Sequence, residues 1–176
     1  MSVGRVETAR LVGTPIADGD DDRLRALYQD PRVAETLGGL RTDEYVATRL
    51  AFEIGHWREH GFGAWVFVER ASGAFVGRGA VRHAQLAGSG ALDGDQVELG
   101  YALVPSFWGR GLATEMAVAM IDVARNDLAL PELAAWTLTT NQASQHVLEK
   151  TGFVYERDFD YAGLPHRYYR LVLHPE

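Results

Sequence analysis

Between Gln96 and Leu103 the chain alternates. Val97, Leu99, Tyr101 and Leu103 are apolar or aromatic, Gln96, Glu98, Gly100 and Ala102 are polar or small, and this period of two predicts a strand that Pro105 ends. Past Gly109 and Gly111 the period changes. Leu112, Met116, Met120 and Val123 recur at helical spacing, with Thr114, Glu115, Asp122 and Arg125 on other faces. The stretch therefore predicts strand, glycine-rich turn and helix in succession.

The same reading extends along the chain. Thr8 to Thr14 predicts a first strand, and Asp18 to Asp22 an acidic helix entry, favourable at the positive end of the helix dipole, carrying Leu24, Leu27 and Tyr28. Asp30-Pro31 is expected to close that helix. Gly38-Gly39 marks a loop before a second helix from Thr42 to about His60, whose stripe of Val46, Leu50, Ile54 and Trp57 faces the core and which Gly61 ends. Ala64 to Glu69 and Phe75 to His83 predict a hairpin around Ala71-Ser72-Gly73, and Ala87 to Gly94 a glycine-rich loop. Leu133 to Thr139 reads as a strand and Gln142 to Thr151 as a helix stopped by Gly152; Phe153 to Phe159 and Arg167 to Leu173 read as closing strands with Gly163-Leu164-Pro165 between them. The order is mixed α/β. A single crossover helix between 97–103 and 133–139 implies a parallel pair there, with a cleft at the carboxyl ends of its strands.

Composition narrows the classes. A chain of 176 residues, 47% hydrophobic and 23% charged, is expected to fold as one domain over 1–176. Its formal net charge of -7 disfavours nucleic acid as a partner and suits a cationic acceptor better. With no cysteines, disulfides, thiolate metal sites and a cysteine acyl-enzyme are excluded. The N-terminus lacks the apolar core of a signal peptide, and no apolar run reaches the roughly 20 residues that span a bilayer, so the expectation is a cytoplasmic protein that does not engage a membrane, monomeric or homodimeric.

The turn at Gly109 and Gly111 carries candidate chemistry. A helix start exposes unpaired N–H groups, so the amides from Gly109 to Ala113 could hold phosphate oxygens, with Arg110 adding a charge. A plain strand-turn-helix joint without a ligand is the alternative. The series G-R-G-L-A-T ends in Thr114 where a Rossmann fingerprint has a third glycine or small residue, and no GK[ST] follows any glycine loop. His56 and His60 lie one helical turn apart, but Trp57 stands where a zincin has its glutamate; solvent-facing or capping histidines are expected, and no metal.

Trp108 to Glu115, W-G-R-G-L-A-T-E, resembles the acetyl-CoA pyrophosphate loop of the GNAT superfamily of N-acetyltransferases, Q/R-x-x-G-x-G/A. Gly111 and Ala113 fit the last two fixed positions. Trp108 stands where Gln or Arg is usual, and a tryptophan there is common in the Rim-type branch, which includes enzymes acting on ribosomal-protein N-termini. Thr140 to Phe153, TNQASQHVLEKTGF, is similar to that branch's N-x-x-S-x-x-V-L-E-K-x-G-F, Thr8 to Leu11 resembles its T-x-R-L opening, and His60 to Trp65 adds to the match. The resemblance implies a GNAT-like fold: one central mixed, largely antiparallel sheet of about six to seven strands with a splayed parallel pair, flanked by about four helices. It implies acetyl-CoA as co-substrate, held by Trp108, Gly109, Arg110, Gly111, Leu112, Ala113 and Thr114, by the backbone at Leu103 and Val104, and by Asn141, which is also a natural N-cap.

Acetyl transfer to an amine needs a base, because an alkyl amine with a reference pKa near 10 is protonated at neutral pH. Glu98 is the candidate, with a solvent-facing or salt-bridged strand residue as the alternative. Backbone N–H groups at the strand end could serve the oxyanion. Many GNAT enzymes protonate the leaving thiolate with a tyrosine, but Leu148 holds that place here, and the Rim-type resemblance, in which a serine at this position can hydrogen-bond the thiol sulfur, makes Ser144 the candidate; its alternative is a residue of the first helical turn bonding an amide near Asn141. Tyr155, Tyr168 and Tyr169 are candidates for an acceptor pocket or for the core. Two function classes follow: an N-acetyltransferase acting on a protein N-terminus or small amine through a ternary complex, in a polar acidic cleft, or a non-catalytic acyl-CoA-binding regulatory module.

Overall fold

The computed structural model describes residues 3–84 and 96–174, so the loop expected at Ala87 to Gly94 lies outside the described residues. Eight strands form one sheet: β1 (Val6–Glu7), β2 (Leu11–Pro15), β3 (Ala64–Glu69), β4 (Phe75–His83), β5 (Val97–Leu103), β6 (Glu132–Leu138), β7 (Val154–Tyr161) and β8 (Leu164–Val172). Their spatial order is β1-β2-β3-β4-β5-β6-β8-β7. Five α-helices accompany them: α1 (Asp21–Tyr28), α2 (Pro31–Leu37), α3 (Asp43–His60), α4 (Leu112–Asp122) and α5 (Gln142–Lys150), with a π-helical turn at Val123–Asp127 prolonging α4. None of the described helices is long and apolar enough to cross a membrane.

The parallel pair is β5 and β6, joined by α4 as the crossover, and it is short. Its register is Glu98↔Ala134, whereas the antiparallel β4/β5 ladder runs from Gly77↔Leu103 to His83↔Val97. From Gly100 onward β5 therefore leaves β6, and a gap opens at their carboxyl ends.

Both faces of the sheet are covered, which explains why β5 has buried residues on either side of its alternation. On one face Leu99 and Leu103 pack with Leu112, Met116 and Met120 of α4 and with Leu148 of α5. On the other, Val66 and Ala80 meet Leu24 and Tyr28 of α1 and Val46 and Leu50 of α3. Each fully buried Leu or Met side chain contributes about 1.5–3 kcal/mol of transfer free energy. The ends of α3 follow the sequence signals: Thr42 Oγ1 accepts the Tyr45 N–H at 3.1 Å, and Gly61 closes the helix at φ 74°.

Three local expectations change. Asp30-Pro31 ends α1 but also starts α2, which the sequence reading missed: Asp30 accepts the Arg32 N–H at 2.9 Å, and proline in the first turn needs no hydrogen bond there. The strand expected from Thr8 begins at Leu11, as β2 after the short β1, because Thr8 folds back on it, with Thr8 N–H to Leu11 O at 3.0 Å and Leu11 N–H to Thr8 Oγ1 at 2.8 Å. The final turn is Ala162-Gly163, both at positive φ (49° and 77°) as a two-residue hairpin requires, so Leu164 and Pro165 belong to β8.

Candidate active site

The gap between β5 and β6 widens into a cleft of about 580 Å³. Its floor is the turn after β5. Gly109 and Gly111 adopt φ 70° and 73°, the left-handed region that glycine enters without a Cβ penalty. Gly111 starts α4 with no side-chain cap, and the first bond of the helix is Glu115 N–H to Gly111 O at 3.1 Å. Among the described residues, no protein acceptor meets an N–H from Gly109 to Thr114. Unpaired amides at a helix start are donors of the kind that can hold an anion. Exposed Lys150 and His146 of α5 line the same cleft.

The turn is braced from outside. Glu115 Oε1 accepts from Thr8 Oγ1 at 2.5 Å and from the Arg10 N–H at 2.9 Å, Arg10 Nε bonds Glu115 Oε2 at 2.6 Å, and Arg10 Nη1 donates to the Arg110 carbonyl at 2.8 Å. The Thr8-Ala9-Arg10-Leu11 segment is thus a bracket for the turn. Arg110, expected to add charge to the phosphate site, is turned away: its guanidinium pairs with Glu69 at 2.5 Å and lies 5.0 Å over the Phe107 ring.

Along the wall, Val104 N–H bonds Val76 O at 2.9 Å, so Val104 points its amide at β4. Alternation along an antiparallel ladder then turns the peptide groups of Leu103 toward the gap. The Leu103 carbonyl accepts from Trp108 Nε1 at 2.8 Å, which gives the tryptophan at this place in the turn a structural task. Leu112, Ala113 and Thr114 border the cleft together with Trp108, Gly109 and Gly111. Asn141 caps α5 by accepting the Ser144 N–H at 3.1 Å, and both residues line the cleft.

Ser144 has a partner that the sequence reading missed. The Tyr101 hydroxyl lies 3.1 Å from Ser144 Oγ and 3.2 Å from the Ser144 carbonyl. Burial pushes the Tyr101 phenol up to about 12, so it stays protonated at neutral pH and can donate. Leu148, by contrast, is in the core. In sequence Tyr101 shares the phase of Leu99 and Leu103 and looks like a core residue.

On the opposite face a buried charge chain runs from β5 to α3. The register Arg82↔Glu98 places Arg82 Nη2 2.5 Å from Glu98 Oε1, Arg82 Nη1 is 2.5 Å from Glu53 Oε1, and Arg49 Nε is 2.8 Å from the same oxygen. Burial would raise the Glu53 pKa, but Arg82, Arg49 and Arg78 outweigh it and hold the carboxyl below its ordinary range. Glu98 lines the cleft as the salt-bridged residue that was its alternative reading. The expectation of an acidic cleft is not met: the arginines 49, 78 and 82 face the carboxylates of Glu53 and Glu98. Overall net charge carries no information about which carboxylates the fold gathers.

The three tyrosines proposed from sequence do not border the cleft. Tyr168 and Tyr169 are buried in the core, and exposed Tyr155 meets Tyr169 edge to face, 5.9 Å between centroids. Tyr161 and His166 line it instead. A bulge between Tyr155 and Arg157 shifts the phase of β7, which sequence alternation alone does not show.

His56 is buried, not solvent-facing. Its Nδ1 bonds the Phe62 carbonyl at 2.8 Å, and its Nε2 accepts the His83 N–H at 3.0 Å. Ring nitrogens of His56, His60 and His83 come within 4.8 Å of one another, but a metal ion there would have to displace one of the two His56 hydrogen bonds.

With this geometry in view, comparison with known proteins is direct. The family model described as acetyltransferase (GNAT) domain matches residues 10–154. The FsC-acetyl coenzyme A-N(2)-transacetylase of Aspergillus fumigatus is 29% identical over 158 residues, 88% of this chain; the match spans 66% of that relative, just under two thirds of its length. A crystal structure of an acetyltransferase from Agrobacterium tumefaciens is 26% identical and superposes with a TM-score of 0.82 over 97% of this chain and 95% of that one. RimL, a ribosomal L7/L12 alpha-N-protein acetyltransferase in complex with coenzyme A, is 14% identical with a TM-score of 0.76 over 96% and 98% of the two chains, a likeness of fold.

Proposed function

The chain belongs to the GNAT acetyltransferase family, and from that premise we propose that it transfers the acetyl group of acetyl-CoA to a primary amine, on a peptide N-terminus or a small molecule, by direct attack in a ternary complex. The observation that carries this reading is the run of unbonded amides from Gly109 to Thr114, opening on the gap where β5 leaves β6. A diphosphate fits those donors, and a pantetheine arm fits beside Leu103.

Acetyl-CoA when bound supplies an activated acyl group and a thiolate leaving group. The chain contributes position and proton traffic. The loop amides hold the diphosphate, Leu103 offers its peptide groups along the gap, and Asn141 orients the first turn of α5 that carries Ser144. Glu98, held by Arg82 where β5 and β6 part, takes up through water the proton that an ammonium must lose before attack. The Tyr101–Ser144 pair provides a proton for the departing sulfur, the phenol remaining protonated until then.

Incubation with acetyl-CoA and a panel of peptides, amino acids, polyamines and aminoglycosides, followed by free-thiol detection, tests the proposal. Thiol release that depends on one class of amine supports it. Coenzyme A binding with no release from any amine favours a binding module instead, and no binding removes the reading altogether.

A further inference from the structure

Arg78 stands apart from the other guanidiniums in the cleft. Arg82 is shared between Glu53 and Glu98, and Arg49 forms an ion pair with Glu53. Arg78 is 8% exposed and lines the cleft, yet among the described residues no carboxylate pairs with it. Its Nε donates to the Tyr28 hydroxyl at 2.6 Å, while its Nη1 is shielded from solvent with no acceptor. Glu53 acts on it only from beyond ion-pair distance, and a buried guanidinium with no contact ion pair and an unfilled N–H is costly, which makes its retention at a binding cleft informative.

The surroundings say where a partner would sit. Register places Arg78 opposite Ala102 on β4/β5, and its Nη1 reaches back over Gly100: a Cβ built on Gly100 would meet nothing but that nitrogen, at 3.9 Å. The space above Gly100 is therefore open and edged by an unsatisfied cationic donor. Glu98 is two residues away on the same face of β5, a separation of about 7 Å along a strand.

Resting on the acetyl-transfer reading above, we propose that the acceptor carries a carboxylate, received by Arg78 over Gly100 while its amine lies at Glu98. The acceptor class is thus an amino acid or amino-acid-like amine whose two ends are separated by a few bonds, not a polycation. A guanidinium suits this role because its planar N–H groups match carboxylate oxygens.

The test uses the full chain and product mimics. Calorimetric titration with coenzyme A comes first; with coenzyme A bound, the N-acetyl derivatives of glycine, 4-aminobutyrate and 6-aminohexanoate are each titrated against their neutral amides. At one or more chain lengths the carboxylate is expected to bind at least about tenfold tighter than its amide, since charge-assisted bonds exceed neutral ones by roughly this much. Arg78→Gln should erase that preference with coenzyme A affinity unchanged, and Arg78→Lys should restore part of it. Gly100→Ala, which leaves the guanidinium intact and fills the space beside it, should weaken the carboxylates several-fold even if the Arg78 variants fold poorly. Coenzyme A binding with carboxylates and amides indistinguishable at every length overturns the anion subsite and leaves acetyl transfer standing. Failure to bind coenzyme A overturns the transferase reading, and the subsite with it.

Discussion

Arg10 and Glu115, 105 positions apart in the chain, are joined at 2.6 Å, and the same arginine holds the carbonyl of Arg110. The N-terminal segment thereby grips the glycine turn before α4 from its outer side, which gives the T-x-R-L opening a physical role. Arg10→Ala is expected to raise the dissociation constant for coenzyme A by about three- to tenfold, the worth of one or two hydrogen bonds, with little change in thermal stability because exposed ion pairs contribute little. Calorimetry together with a melting curve checks both halves; an unchanged affinity removes the bracket.

Gly111→Ala forces a side chain into φ 73°, at about 1–2 kcal/mol, although its Cβ would meet Arg10 Nη2 at an ordinary 3.6 Å. For a chain of this size that is a melting shift of about 2–8 °C. Gly73→Ala, at φ 71° in the β3–β4 turn, is the control. Both variants should melt lower, and only Gly111→Ala should lose coenzyme A affinity, by at least about tenfold given the lost amide geometry.

Tyr101→Phe and Ser144→Ala each break one hydrogen-bonded unit. Each should lower kcat by about tenfold or more with KM for acetyl-CoA little changed, and the double variant should be no worse than the singles, as expected of groups acting together. Additive losses in single-turnover thiol release would show that the two residues act separately.

Glu98→Gln keeps the side chain's shape beside Arg82 while removing the charge. If the carboxylate relays the amine's proton, kcat/KM should fall by about 100-fold, within the usual range for general base catalysis. Full activity with a lowered melting temperature would assign Glu98 to the ion pair alone.

Burial lowers the His56 pKa below its ordinary 6.5. The unfolded chain then binds more protons than the folded one as pH drops below about 6.5, so stability is complete above that value and declines beneath it. A protonated His56 also cannot accept the His83 N–H. Melting temperatures from pH 7.5 to 5 should fall more steeply in the wild type than in His56→Gln; parallel curves would dismiss the histidine as their source.

Much of this was legible in order of residues alone. The strand at Val97–Leu103, the two glycines and α4 could be read because each depends on neighbours: side-chain alternation, 3.6-residue spacing and a backbone conformation that only glycine adopts easily. The cap of α3 at Thr42 and its stop at Gly61 were readable for the same reason. Asp30-Pro31 was half-read, since the same dipeptide ends one helix and begins another.

What the sequence by itself determined, then, is the succession of elements and the glycine turn that opens α4, because these rest on contacts a few residues apart. The tertiary structure alone decided that Tyr101 meets Ser144 across 43 positions, that Arg78 reaches Tyr28 across 50, and that Arg110 turns to Glu69 and not to the cleft. Those outcomes depend on strand register and on which helix covers which face of the sheet. Both are set by burying the whole apolar surface at once, and no local pattern of residues contains that information.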